Sequence, residues 1–412
     1  MANPHLKQKY DVCIIGGGPA GLWAAKSASK HNLDTLVIEK KREIGIPTVC
    51  GEFVPSEEEA NRLLPGSKLV ANFYRSLPTE CIKNKTKTIR IYAPSGRAVD
   101  FKFEALIIDR CSLEKSYADK VEEFGGEILK STVALKALRK DEIIVKFKGS
   151  DANGVSTNFL IGADGFPSKV AAWFKLCSGY NKSRDEALSL NSLRESVEIE
   201  EDVVEVYSGK AIAPGGYAWI IPKGDGTANV GVGVRRSWIS SQRNIQDYFN
   251  HFLFKHPIAS NRLRRSKTGS VLGKVIPMGG LVKEVGRDVV MLAGDAAGLV
   301  VPINGSGILT AAISGMLAGE AVWQETAGKG GVAGYRNMIL SEVGDPMEIG
   351  LLYRRFVDLL VSHDSLLDSS FILAGKAMVA NTFQCHRNWM FPILRDLMEV
   401  NSNLLSPFSR MG

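Results

Sequence analysis

The chain has 412 residues and six cysteines, no two of which stand three or four positions apart. Cys13, Cys50, Cys81, Cys111, Cys177 and Cys385 thus lack the spacing of a zinc ribbon or a local iron–sulfur motif, and they do not resemble a disulfide framework. The histidines add no ligand pattern, so no metal is expected. Long apolar runs are missing too. The uncharged stretch 296–319 is interrupted by Pro302, Asn304 and several glycines, which argues against a membrane span. Charge of one sign is scarce: 51 Lys and Arg face 44 Asp and Glu, and they are dispersed, so no nucleic-acid stripe forms. This mild basic excess is compatible with weak attraction to anionic lipid. Residues 1–9 are polar and run into a strand pattern without a secretory leader. The expected setting is reduced and cytoplasmic, with room for peripheral contact at the cytoplasmic membrane.

What is present is ordinary for a globular protein. Hydrophobic residues make up 45% and charged residues 23%, which excludes disorder and collagen, and the length allows two or three domains. Residues 10–15 are an apolar, β-branched run that ends in the glycine turn 16–21, and an Ala-rich helix pattern and a second apolar strand at 35–39 follow. Together they span about 30 residues, the size of one βαβ unit.

The turn reads Gly16-x-Gly18-x-x-Gly21, and Glu39 stands 18 residues after Gly21 at the end of the second strand. Glycines there let the backbone approach a pyrophosphate, and the helix N-terminus presents free N–H groups and positive potential. A carboxylate at position 39 can accept both ribose hydroxyls and disfavours a 2′-phosphate, so FAD or NAD is expected and NADP is not. A second signal lies far away. Residues 288–295 read as a buried strand closing on Gly294-Asp295, followed by a turn through Gly305 and Gly307 into a small-residue helix from Ile308. Asp295 is placed to bind a ribityl hydroxyl, and that helix start can face negative charge developing on a flavin. One dinucleotide is thus closed by elements from both ends of the chain. No second Gly-x-Gly-x-x-Gly follows a strand, so no separate nicotinamide domain is expected.

Alternating strands are expected at 88–103 and across 185–235, where Tyr217 and Trp219 share one strand face and Pro222 follows. That pair can line a long apolar slot. Residues 110–124 read as a helix with Arg110 at its start, a sensible phosphate or ribityl partner; residues 127–138 and 142–147 read as strands. The stretch 386–398, with Trp389 and Met398, mixes basic, aromatic and apolar residues, and packing of a C-terminal helix is favoured there over an interfacial element.

Taken together, Gly16 to Gly21 with Glu39, Asp164-Gly165-x-x-Ser168, and Gly294-Asp295 resemble the three signatures of the para-hydroxybenzoate-hydroxylase-like flavoproteins. Residues 45–52, ending Cys50-Gly51-Glu52, the block 214–233 with Tyr217-x-Trp219-x-x-Pro222 and its Val-Gly tail, and 294–315 are similar to the geranylgeranyl reductase family. Its archaeal members, which saturate the isoprenoid chains of membrane lipids, look closest. The resemblance runs over about residues 10–325. It implies FAD contacts at Gly16, Gly18, Gly21, Glu39, Cys50, Gly51, Arg110, Val133 at a strand end, Asp164, Asp295, Gly307 and Ile308. It implies substrate contacts at Tyr217, Trp219 and Pro222, and a geranylgeranyl lipid as substrate. Reducing an isolated alkene needs a hydride and a proton; Cys50, Glu52 and Tyr217 are the candidate acids, and the sequence does not choose among them. The electron donor would be NAD(P)H or ferredoxin.

The expected fold is α/β (α+β overall). A Rossmann-type FAD-binding domain occupies 1–70, 106–178 and 276–330. Strands at 71–105 and an inserted antiparallel-sheet substrate domain at 179–275 interrupt it, and 331–412 form a helical C-terminal extension. The rival readings are a flavin monooxygenase or halogenase acting on a small aromatic, and a quinone-linked electron-transfer flavoprotein dehydrogenase. Tyr217 stands where the halogenase Trp-x-Trp element has its first tryptophan, which weighs against halogenation.

Overall fold

The computed structural model describes residues 6–150, 152–176, 185–387 and 391–396. Cys177, the expected boundary at 178/179, Trp389 and Met398 lie outside the described residues. The strands, in chain order, begin with β1 (Lys9–Ile15), β2 (Thr35–Ile38), β3 (Phe53–Pro55), β4 (Ile82–Tyr92), β5 (Ala98–Ile108), β6 (Glu127–Leu129), β7 (Val133–Arg139) and β8 (Ile143–Lys148). They continue with β9 (Gly154–Gly162), β10 (Glu186–Glu195), β11 (Val203–Tyr207), β12 (Tyr217–Gly224), β13 (Thr227–Arg235), β14 (Lys267–Pro277), β15 (Gly286–Arg287) and β16 (Val290–Leu292).

The first sheet has the order β15-β16-β9-β1-β2-β6, with the β7–β8 hairpin joined through β8 to β9. β1 pairs in parallel with β2 and β9, and its Val12, Cys13 and Ile14 are fully buried, as a central parallel strand covered on both faces requires. The helix Pro19–Lys30 covers this sheet. Against it lies the helix Ile308–Thr326, whose Gly315 and Gly319 admit the other helix so closely that a Cβ at Gly319 would stand 2.6 Å from Ser27 Cβ.

The second sheet has the order β14-β10-β13-β12-β11-β4-β5-β3. Strand alternation splits its faces. Ala218, Ile220, Val230 and Val232 pack outward against Phe249 and Phe252 of the helix Ile245–Phe254. The opposite face carries Trp219 and Ile221 toward the first sheet. The C-terminal region is helical over Gly331–Leu360 and Asp364–Phe383.

Three expectations need correction. The run 127–138 is not one strand: it breaks after Leu129, and Thr132 N–H bonds the Glu39 carbonyl at 2.9 Å, which sends the chain across the end of β2. The second sheet is antiparallel except where β4 and β11 pair in parallel. Phe53–Pro55, placed with the nucleotide segment 1–70, pairs with β5 in the second sheet.

Candidate active site

The two sheets face each other across a cavity of about 350 Å3. One wall is nucleotide-like. Gly16, at φ +108, abuts the Ala163 carbonyl, and a Cβ at Gly21 would collide with the Gly16 carbonyl. Gly18 is different: its missing Cβ points into open space, with Arg110 Nη2 the nearest atom at 3.9 Å. That is a cradle for a group that touches backbone, and Pro19 opens the helix there at the position where its lost N–H costs nothing. A second helix N-terminus, at Ile308 with Gly307 before it, lines the same cavity. Both positive helix ends therefore converge on one space.

Glu39, the residue after β2, has a buried carboxylate that accepts the N–H of Gly17 at 2.5 Å and of Lys41 at 2.8 Å. It holds the glycine turn from beneath and keeps lone pairs for ribose hydroxyls. Arg110 lines the cavity next to Gly18. Burial works against its charge, but the Glu114 carboxylate at 2.5 Å keeps the guanidinium firmly protonated. Asp295 faces Lys274 of β14 at 2.5 Å, an ion pair that bridges the two sheets beside the cavity.

The other wall belongs to the second sheet and the loop 49–53. Cys50, Gly51 and Glu52 line it together with Tyr217, Trp219 and Ile221. Tyr217 and Trp219 meet edge-on with ring centroids 6.0 Å apart. Trp219 is seated because Gly231 has no side chain: a Cβ there would strike the indole ring. The apolar end of the cavity is formed by Phe53, Ile89, Val204, Val206, Val361 and Phe383.

Several expected site residues sit elsewhere. Pro222 is turned to the opposite face of β12 from Trp219, as alternation demands, and Ile221 takes its place on the cavity wall. Val133 opens β7 instead of ending a strand, and it lies beside the end of β2, outside the cavity lining. Asp164 accepts from Ser168 Oγ at 2.7 Å and from the N–H groups of Lys169 and Val170, so it builds the turn into the helix Lys169–Trp173. Burial raises its carboxyl above the ordinary range. The neighbouring Gly165, at φ +75, presents open backbone to the cavity.

Sequence reasoning missed Asn191, Asn229 and Lys223. Asn229 Nδ2 donates to the Cys50 carbonyl at 2.8 Å, and Trp219 Nε1 donates to Asn229 Oδ1 at 2.9 Å. Asn191 Nδ2 also reaches that carbonyl, at 3.4 Å. Lys223 Nζ donates to Glu52 Oε2, while Arg110 N–H donates to Glu52 Oε1 at 2.9 Å. The signal available was a lone amide at 229 on the strand face it shares with Gly231 and Gly233.

A glycine cradle, two convergent helix N-termini and an apolar slot in one cavity define an oxidoreductase that works with a flavin. The comparisons agree. A model of the geranylgeranyl reductase catalytic domain matches residues 185–271, and one of pyridine nucleotide-disulphide oxidoreductases matches 10–119. Digeranylgeranylglycerophospholipid reductase of Methanosarcina acetivorans is 31% identical, over 97% of this chain and 95% of its own length. Its counterpart from Thermoplasma volcanium is 34% identical over 76% and 78%. The crystal structure of a geranylgeranyl bacteriochlorophyll reductase-like protein from Thermoplasma acidophilum superposes with a TM-score of 0.81 at 25% identity, covering 95% of this chain and 99% of that one. A flavin-dependent brominase shares the fold with a TM-score of 0.72 at 18% identity, covering 96% and 100%. The chain belongs to the geranylgeranyl reductase family.

Proposed function

We propose that this protein reduces isolated C=C bonds in the geranylgeranyl chains of archaeal-type membrane phospholipids, with FAD as its flavin and NAD(P)H or ferredoxin as electron source. The observation that carries the reading is the single cavity that joins the glycine cradle at Gly18 to the apolar end at Val204, Val206 and Phe383. FAD, once bound and reduced by that electron source, would supply the hydride of the reaction. Glu39, Arg110 and Asp295 would hold its ribose, phosphate and ribityl groups, with Gly18 and Gly307 admitting it to backbone N–H groups. Tyr217, Trp219 and Ile221 would order the prenyl chain and exclude water.

Of the three candidate acids, two have their oxygens committed to protein partners, while the Cys50 sulfur accepts the Glu52 N–H and lies beside the Arg110 guanidinium. Both Glu52 carboxylate oxygens already accept hydrogen bonds, from Lys223 Nζ and from the Arg110 N–H. The Tyr217 hydroxyl donates to the Asn304 carbonyl, and burial raises the phenol further from acidity. Cys50 is therefore the proposed proton donor to the second alkene carbon, with solvent restoring the thiol proton.

Peripheral membrane contact is supported by the C-terminal helices. Leu359, Leu366, Ile372 and Leu373 are exposed there, Leu373 to 86%, while Val361 and Phe383 of the same region line the cavity. Among the described residues no helix is long and apolar enough to cross a membrane.

Anaerobic incubation of the reduced holoprotein with geranylgeranyl phospholipid, read by mass spectrometry, tests the reading. Gains of two hydrogens per step are expected, and Cys50→Ser should slow them by about a hundredfold. An oxidisable flavin with an unchanged lipid would sink the proposal and favour oxygen-dependent chemistry on a small aromatic.

A further inference from the structure

We infer that the β12–β13 hairpin is the device that places Cys50, and that Asn229 is its positioning residue. The loop carrying Cys50 has little structure of its own. Gly51 has no side chain, and Glu52 is held at φ +59, a backbone region that L side chains rarely adopt. Such a loop keeps one shape only if its surroundings fix it. Besides the Ile108 and Arg110 N–H groups, which bond the Glu52 carbonyl and carboxylate, the surroundings supply two anchors on one hairpin, one on each side of Gly51. Lys223 of β12 holds the Glu52 carboxylate, and Asn229 of β13 holds the Cys50 carbonyl at 2.8 Å. Between them the loop lies directly on the hairpin, since a Cβ on Gly51 would stand 3.1 Å from Ile221 Cδ1.

Asn229 can do this in only one orientation. Its neighbours are a carbonyl, which only accepts, and an indole N–H, which only donates, so its amide must turn Nδ2 to Cys50 and Oδ1 to Trp219. The residue is 2% exposed, and water does not compete for either bond. The consequence is a chain of two hydrogen bonds from the indole that lines the apolar slot to the backbone of the residue bearing the thiol. Lateral movement of the Trp219 ring is thus transmitted to Cys50, whose Sγ accepts the Glu52 N–H at 3.3 Å within the loop. Asn191 supplies a longer second donor and cannot replace Asn229, because it makes no bond to the indole.

The test reads Cys50 directly, in the flavin-loaded full-length protein, by the rate of its iodoacetamide alkylation at fixed pH, resolved peptide by peptide. Asn229→Ala should change that rate by about fivefold or more. Trp219→Phe, which removes the N–H and keeps an aromatic ring, should do the same, and the double variant should add little to either, as two links of one chain behave. Ser192→Ala is the control: it removes the hydroxyl bonds of a buried serine on β10 to the Leu193 and Gly269 carbonyls and touches no residue of the loop, so Cys50 should react as in the wild type. A second arm rests on the proposed reaction: in Asn229→Ala, kcat for the lipid should fall about tenfold while KM stays within about twofold. Alkylation of Cys50 at the wild-type rate in both Asn229→Ala and Trp219→Phe overturns the inference, as does an effect equalled by Ser192→Ala. If Asn229→Ala does not fold, Trp219→Phe decides alone. If the wild type reduces no lipid, the proposed function falls and the alkylation arm still decides this inference.

Discussion

The two walls of the cavity are held in opposite ways. On the nucleotide side the Gly16–Gly21 turn is fixed by side chains that are absent: backbone lies on backbone at Gly16 and Gly21, and the helix Ile308–Thr326 meets the helix Pro19–Lys30 through Gly315 and Gly319. On the other wall the Cys50–Glu52 loop is fixed by side chains that are present, namely Asn191, Asn229 and Lys223 reaching over from other strands. A contact made of missing atoms tolerates no addition and has no substitute. A contact made of side-chain bonds is open to compensation, because a partner can be changed to match.

The largest effect should come from breaking the first kind. Gly21→Val places side-chain atoms where the Gly16 carbonyl lies, and we expect a loss on the order of 3 kcal/mol or more with no flavin retained, measured by thermal unfolding and the visible spectrum. No single compensating substitution should restore it. Glu52→Gln attacks the second kind. It leaves Lys223, a largely but not fully buried ammonium, without its ion-pair partner, and should cost about 1–3 kcal/mol in denaturant titration. Here rescue is expected: adding Lys223→Met should recover more than half of the loss. Failure of that rescue would erase the distinction between the walls.

Acid provides a subtler probe of the second sheet. Burial lowers the His256 imidazole to about 4 beneath the outer face of that sheet, where it accepts the Ala259 N–H. Between its ordinary value and about 4 the unfolded chain takes up a proton that the folded chain refuses. Stability is therefore full above the ordinary imidazole range and declines as pH falls through that window. His256→Asn, which can still cap the following turn, should reduce the fall in Tm between neutral pH and pH 4 by roughly 2–4 °C. The smallest effect is expected from Tyr217→Phe, which removes one hydrogen bond to the Asn304 carbonyl and should cost about 1 kcal/mol.

The same contrast explains which parts were legible from the chain. A site made of missing side chains leaves a local mark, because the glycines that permit it are consecutive or regularly spaced; the β1 turn, Glu39 and Gly294-Asp295 could be read as a nucleotide cradle before any coordinates. A site assembled by side chains from strands far apart leaves none. Asn191 and Asn229 meet Cys50 across separations of 141 and 179 residues, and only strand register brings them there. Alternation predicted the shared face of Tyr217 and Trp219, and by the same rule should have excluded Pro222 from it. The parallel pair β4·β11, the exception in the second sheet, was invisible because parallel and antiparallel neighbours can share the same apolar alternation.

The covering of the first helix by a late one has a consequence for synthesis. Ser27 Oγ bonds the Met316 carbonyl at 3.1 Å, 289 residues further along the chain. A ribosome thus releases the opening βαβ unit long before the helix that seals it exists. Throughout that interval Ala20, Ala24 and Ala28 and the small-residue face around them remain wet, and contacts this distant close slowly. The nascent protein must carry an unfinished first layer until more than three-quarters of its length has emerged, so the finished cofactor cradle is among the last things the growing chain acquires.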